Sequence, residues 1–226
     1  MAKAQPGTDQ SLHACPDTTR PEPEVLIDWQ LPRPPYSLHD RLIGPGATRG
    51  ELVLQWTAAI AAATVFPLLA VFNEWSWSPF QLIVAGLLAL DVAGGVVTNA
   101  TSTAKRWYHR PQRTVRDHLL FVLLHAHPFL VVWLFGTGEW RFATVGYGYM
   151  IIAAIILIVL TPLHLRRPVA FLAVGSGIIL SIYGPVPPPH FEWLLPLLYL
   201  KVLAGHLLRE EPYRPCVRAE PMAGEG

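Results

Sequence analysis

The sequence predicts an all-α protein, a multi-pass transmembrane helix bundle of about six spans. Of its 226 residues, 52% are hydrophobic and only 15% are charged, whereas a soluble domain usually carries about a quarter charged residues. The apolar residues are grouped in blocks, and six of these approach the roughly 17–25 residues that a helix needs to cross a bilayer. The blocks lack the period-two alternation of transmembrane strands, which favours helices.

The six predicted spans follow a polar arm and succeed one another closely. They cover residues 51–73, 79–101, 117–136, 142–163, 168–184 and 191–209. The fifth is the shortest, and the sequence VGSG lowers its hydrophobicity. Because most connections are short, consecutive helices should be antiparallel neighbours.

The distribution of basic residues predicts the orientation, since lysine and arginine favour the cytoplasmic ends of spans. The second and fourth connections and both chain ends are basic, whereas the other three connections contain only Arg141. The basic residues of the second and fourth connections are Lys105, Arg106, Arg110, Arg113, Arg116, Arg166 and Arg167. This alternation predicts a protein of the cell membrane with both termini in the cytoplasm.

The chain divides into three regions by composition. Residues 1–48 form a polar, Pro-rich arm that should be a largely irregular cytoplasmic segment, residues 49–210 the transmembrane domain, and residues 211–226 a disordered cytoplasmic tail. A net charge of +1 offers no surface for a polyanion, so nucleic acid is not an expected partner. Cys15 and Cys216 lie in the polar ends, which predicts neither a disulfide framework nor a thiolate metal site.

Three ionisable residues fall near the middle of predicted spans. Asp91 lies roughly 15 Å from the inner end of the second span at a rise of about 1.5 Å per residue, and His125 and Lys201 lie at similar depths. Ionisable groups inside a membrane are costly and therefore indicate function. We expect these three side chains to meet, with Asn99 nearby. Gly94 and Gly95 should allow another helix to approach the Asp91 carboxylate closely.

A second group of polar residues lies toward the cytoplasmic edge and predicts a metal site. His118 and His125 are seven residues apart and share a face of the third span, whereas the helical projection turns His127 elsewhere. His206 and Glu210 are four apart and also share a face. Imidazole and carboxylate ligands from several helices suit a divalent transition metal. The predicted ligands are His118, His125, His206 and Glu210, with Asn99 and His164 at the same level.

The favoured function is an integral membrane enzyme that acts on a lipid-like or isoprenoid substrate reached from the membrane lipid. Its catalytic residues would be Asp91, Asn99, His125 and Lys201. In one variant a metal supports the reaction. In the other, Asp91 acts as general acid, as a membrane terpene cyclase would require. The aromatic residues Trp133, Tyr147, Tyr149 and Tyr199 would then stabilise a carbocation.

Two alternatives belong to other classes of protein. A small proton-coupled transporter or ligand-binding protein would use Asp91, His125 and Lys201 as a relay at the midplane. A non-catalytic membrane subunit would use the Asp91–Lys201 pair only to fix helix register. The run KRWYHRPQR in the second connection is interpreted first as a basic anchor and second as an anionic headgroup or phosphate site.

Overall fold

The computed structural model describes residues 25–215, which are helical apart from two short strands and the connecting turns. The elements in chain order are β1 (Val25–Ile27), α1 (Leu38–Ile43), α2 (Arg49–Phe72), α3 (Pro79–Ala100), α4 (Ser102–Tyr108), α5 (Val115–Leu124), α6 (His127–Phe135), α7 (Trp140–Leu160), α8 (Leu163–Tyr183), α9 (Leu194–His206) and β2 (Tyr213–Pro215). The all-helical fold class is confirmed.

Five of these helices are long and apolar enough to cross a membrane: α2, α3, α5 together with α6, α7 and α8. This supports the predicted multi-pass membrane protein. The fifth predicted span, the least certain from composition, forms the 21-residue α8. The sixth predicted span corresponds to α9, which is apolar but shorter than the other five.

Local sequence signals fix where three of the long helices begin. Each starts at a capping box, in which a Ser or Thr hydroxyl accepts from the third backbone N–H of the helix and the side chain at that third position accepts from the cap. The pairs are Thr48 with Glu51, Ser78 with Gln81 and Thr114 with Asp117. Pro79 directly after its cap strengthens the second start, because proline suits the first helical position.

Helix α9 forms the centre of the bundle. No residue from Trp193 to Leu208 is exposed, and most of the stretch is fully buried. It packs against α3, α7 and α8, and its leucines belong to the largest hydrophobic cluster. A helix that is apolar all round is stable only when it is enclosed on all sides, so the short α9 is held by its neighbours.

Lys105 on α4 satisfies the C-terminal end of α9. Its buried Nζ donates to the carbonyl of Gly205 at 2.5 Å and to that of Leu208 at 2.9 Å. The same nitrogen lies 3.4 Å from the carboxylate of Glu210. The last carbonyls of a helix have no intrahelical partner, and a cation there also complements the helix dipole. Lys105 therefore closes the buried end of the central helix.

Helix α2 lies at the edge of the bundle and packs mainly on α3. Small residues allow the close approach: a Cβ added at Gly86 would lie 3.0 Å from the carbonyl oxygen of Ala63, and one at Gly94 would lie 2.8 Å from the Cβ of Ala59. Close contacts between small residues are typical of helices packed in membranes. Many of the other α2 side chains are exposed and apolar, as expected for a surface that faces lipid.

The predicted irregular arm and disordered tail lie largely outside the described residues, but a short segment at each end of the described chain pairs with the other. Strand β1 pairs antiparallel with β2, so that Leu26 lies opposite Arg214. Next to β1, Oδ2 of Asp28 forms ion pairs with Nη1 of Arg106 at 3.2 Å and with Nε of Arg214 at 3.1 Å. Backbone pairing and the ion pairs at Asp28 hold these two short segments together. Cys15 and Cys216 lie outside the described residues.

The basic run of the second connection also differs from a simple surface anchor. Lys105 and Arg106 of α4 are buried. Lys105 donates to carbonyls at the end of α9, and Arg106 pairs with the Asp28 carboxylate. Buried cations persist only when they are paired. Two of the four Lys and Arg residues in KRWYHRPQR, Lys105 and Arg106, therefore stabilise the fold.

Replacing Lys105 by Met should lower the free energy of unfolding by about 1–3 kcal/mol, because buried carbonyls of α9 lose their donor. Thermal unfolding of the purified protein in detergent measures the loss. Arg167→Met is the matched control, since Arg167 also pairs with Glu210, at 3.8 Å, but its side chain is 74% exposed. Equal losses in the two variants would mean that only the ion pair with Glu210 matters.

Candidate functional site

Asp91 and Lys201 form an ion pair between α3 and α9. The Nζ of Lys201 donates to Oδ2 of Asp91 at 2.6 Å. Lys201 is buried, whereas the Asp91 side chain is 49% exposed. Both residues lie in π-helical turns, Leu90–Gly94 in α3 and Leu200–His206 in α9. Such turns often mark functional sites, and the predicted meeting of these two residues is confirmed.

The glycines after Asp91 make room for this pair. A Cβ added at Gly95 would lie 2.5 Å from Cε of Lys201 and 3.1 Å from its Nζ. Gly94 meets Ala59 of α2 in the same turn of the helix. The prediction that Gly94 and Gly95 allow close approach is therefore confirmed. Gly95 leaves room for the Lys201 side chain, and Gly94 allows α2 to pack closely on α3.

His127 also reaches Asp91, although the helical projection turned it away. Its Nε2 lies 3.3 Å from Oδ2 of Asp91. The projection was wrong because the chain is not helical at His125 and Ala126, where α5 ends and α6 begins. Pro128 lacks an N–H and clashes with the preceding turn, which breaks the helix here. The dipeptide His127–Pro128 was the sequence signal for this change.

The same helix break orients His125. Its backbone N–H bonds to Val122 at 3.0 Å, which leaves the carbonyl of Phe121 free to accept from the His125 side chain at 2.6 Å. A carbonyl can only accept, so Nδ1 carries a proton, and in the neutral ring Nε2 is then the acceptor. The neutral His125 ring is thus fixed in one tautomer. At the same helix break, the carbonyl of Leu123 accepts from the hydroxyl of Tyr147 at 2.7 Å.

These residues line a cavity of about 270 Å³, here called the Asp91 cavity. Its walls come from α1, α2, α3, α4, α5 and α9, and most of the lining is apolar. The side chains of Asp91, His125 and Lys201 face it together with Asn99 and Gln55. The four predicted catalytic residues therefore surround one space, although that arrangement does not test their roles.

Gln55 is the residue of this site that the sequence analysis did not single out. It is only 2% exposed, and neither its Nε2 nor its Oε1 has a hydrogen-bond partner among the described residues. A buried amide without partners carries a desolvation cost of about 1–3 kcal/mol per group. The sequence signal was a lone glutamine in the apolar run LVLQWTAAI. The amide points to a ligand that both donates and accepts.

No family model, curated protein or solved structure matches this chain.

The four predicted metal ligands do not form one group. Nδ1 of His118 lies 3.1 Å from Nε2 of His206, so these two rings bond to each other. His125 is held by Phe121, and Glu210 pairs with Lys105. Within residues 25–215 no three His, Cys, Asp or Glu side chains are grouped to hold a metal ion. The metal-dependent variant gains no support.

The pair formed by His118 and His206 is part of a stack of histidines. The stack lies at the end of the bundle for which the basic residues predict a cytoplasmic location. His109 stacks on His118 with ring centroids 4.8 Å apart, and its Nε2 lies 3.0 Å from the carbonyl of His206. Burial, with the charges of His118 and Lys105, lowers the pKa of His109 to about 3, so the ring is neutral at pH 7. His164 is exposed and lies outside this stack.

The aromatic residues proposed for a carbocation lie elsewhere. Trp133 is exposed, and the hydroxyls of Tyr147, Tyr149 and Tyr199 donate to backbone carbonyls of neighbouring helices. The rings that line the Asp91 cavity are Trp56, Tyr108 and Phe121. Asp91 itself accepts from Lys201 and faces His127, an environment that favours the ionised carboxylate. The site therefore suits Asp91 as a counter-ion better than as a general acid.

Gly95→Ala should lower stability by about 1–3 kcal/mol, because the added methyl group overlaps the Lys201 side chain and pushes it away from Asp91. Gly175→Ala in α8 is the control, since a Cβ there meets nothing within 4 Å. Chemical unfolding in detergent compares the two. An unchanged Gly95→Ala protein would show that the close approach is not required.

A double-mutant cycle should show strong coupling between Asp91 and Lys201. Asp91→Asn leaves the buried Lys201 charge without its partner and should cost about 3–5 kcal/mol, whereas Lys201→Met leaves the half-exposed Asp91 carboxylate beside His127 and should cost less. The double variant should lose much less than the sum, because no unpaired charge remains. Additive losses, measured by chemical unfolding in detergent, would show that the ion pair does not form.

Proposed function

We propose that this protein is an integral membrane enzyme that performs acid–base chemistry on the polar end of a lipid-like or isoprenoid molecule. The substrate would occupy the Asp91 cavity. One observation carries the proposal: His125 and the buried amide of Gln55, which has no hydrogen-bond partner among the described residues, line a mostly apolar cavity beside an ion pair. Polar groups aimed into a mostly apolar pocket are typical of small-molecule sites.

The lining divides the binding task between its apolar and polar parts. Trp56, Leu90 and Phe121 offer apolar surface for a hydrocarbon chain. Gln55 offers one donor and one acceptor to a head group, and Asn99 adds an amide whose Nδ2 donates only weakly to the Lys201 carbonyl, at 3.5 Å. A head group with a hydroxyl, which both donates and accepts, would satisfy Gln55.

The proton chemistry would centre on His125. Its Nε2 would accept a proton from the substrate while Nδ1 stays bonded to Phe121. The ring of His127 lies edge to face with that of His125, with ring centroids 5.2 Å apart, and its Nε2 lies 3.3 Å from Oδ2 of Asp91. Lys201 would hold the Asp91 carboxylate in place beside His127.

We also propose that α9 completes a sixth crossing, so that both termini lie on the cytoplasmic side of the cell membrane. The pairing of β1 with β2 supports this arrangement, because it requires residues 25–27 and 213–215 to lie on one side. After five crossings β2 would lie on the opposite side of the membrane from β1, whereas a sixth crossing brings β2 back to the side of β1. The basic connections after α3 and α7 favour the cytoplasm for that side.

A proton-coupled carrier is the second candidate. The break between α5 and α6 places His125 and His127 beside Asp91, and broken helices often line transport sites. Flux of protons or solute in proteoliposomes, with no chemical change in the solute, would favour this candidate over the enzyme.

Comparative mass spectrometry of lipid extracts tests the enzyme. Cells that produce the wild-type protein should convert at least one lipid-like compound, and His125→Gln should reduce this conversion about 10²-fold or more through loss of the base. Gln55→Leu should weaken it through loss of binding. His164→Gln, an exposed histidine, is the matched control. Lipid profiles that are identical with wild-type protein and with His125→Gln would contradict the proposal.

A further inference from the structure

A second concave site, here called the arginine cleft, lies beside the Asp91 cavity. It has a volume of about 550 Å³ and is lined by Tyr36, Arg41, Trp107, Arg110, Gln112 and Arg113. The contact between α1 and α4 separates it from the cavity. Trp107 donates to the carbonyl of Arg41 at 3.2 Å, and Tyr108 donates to that of Leu42 at 2.9 Å. Arg41 faces the cleft, whereas Leu42 faces the cavity.

The lining of the cleft carries three guanidinium groups and, among the described residues, no carboxylate. Arg110 lies over the ring of Trp107, with its guanidinium carbon 3.7 Å from the centroid. Arg113 pairs with Asp117 outside the cleft at 3.1 Å. Burial, with the like charge of Arg113, lowers the pKa of Arg110. Like charges held together in a cleft favour an anion between them.

The backbone carbonyl of Arg41 accepts the hydrogen bond from Trp107 of α4. The Arg41 side chain takes no part in this bond. The planar guanidinium group binds phosphate oxygens in pairs, so three such groups around one cleft suit a phosphate better than a single carboxylate.

The surface next to the cleft indicates where this anion comes from. On α1, Leu38 is 75% exposed and Leu42 is 62% exposed, and Arg41 lies between them in the sequence. Exposed leucines beside arginine on a short helix at the end of a bundle are typical of the boundary between headgroups and acyl chains. We propose that the arginine cleft binds the phosphate headgroup of an anionic membrane lipid.

Thermal unfolding in detergent tests this site with defined probes. Dioctanoyl phosphatidic acid at a hundredfold excess over its Kd should raise the Tm by about 5 °C. Dioctanoyl phosphatidylcholine, which is zwitterionic, and inorganic phosphate should each raise it much less. An equal rise with phosphatidylcholine overturns the anion site. An equal rise with inorganic phosphate overturns the lipid as its occupant.

Variants locate the effect in the cleft. The double variant Arg110→Gln with Arg113→Gln should lose the rise caused by phosphatidic acid, whereas Arg116→Gln, a nearby exposed arginine outside the lining, should keep it. Arg41→Gln serves if the double variant does not fold, because the hydrogen bond that joins Arg41 to Trp107 uses the backbone carbonyl and is kept in the variant. Retention of the full rise in Arg41→Gln and in the double variant would overturn the proposal.

Discussion

The enclosure of α9 is the constraint on which the rest of the structure depends. A helix surrounded on all sides cannot turn a charge or a free carbonyl toward water, so each polar group on it needs a partner from another element. Asp91 of α3 supplies that partner for Lys201, and Lys105 of α4 supplies it for the last carbonyls. These two contacts fix the positions of α3 and α4 against the centre of the bundle.

The ion pair in turn determines the shape of the candidate site. Lys201 passes beside Gly95, and Gly94 brings α2 against the same turn of α3. The break before Pro128 then brings His125 and His127 to the open side of the Asp91 carboxylate. The result is a small, mostly apolar cavity with a few fixed polar groups, among which Gln55 is unsatisfied. A purely structural ion pair would not require that unpaired amide, and for this reason we favour a ligand-binding and catalytic role.

The cytoplasmic end that we propose for the bundle is organised by the same pairing of charge, outside the apolar core. Arg106 joins α4 to Asp28, and β1 with β2 brings the two polar ends of the chain together. Helix α1 lies between the Asp91 cavity and the arginine cleft and is held by Trp107 and Tyr108. The basic run of the second connection therefore contributes buried residues to the fold and partly exposed arginines to the lining of the arginine cleft.

The sequence by itself determined the helical membrane class, the approximate limits of the long helices and the meeting of Asp91 with Lys201. Hydrophobic block length and the high free energy of a lone charge in an apolar medium leave few alternatives. It did not determine the direction of His127, the separation of the proposed metal ligands or the ordering of residues 25–27 with 213–215. Those features depend on a helix break and on contacts between residues far apart in the chain, such as Asp28 with Arg106. Helical periodicity carries no information about such contacts, so only the tertiary structure decided them.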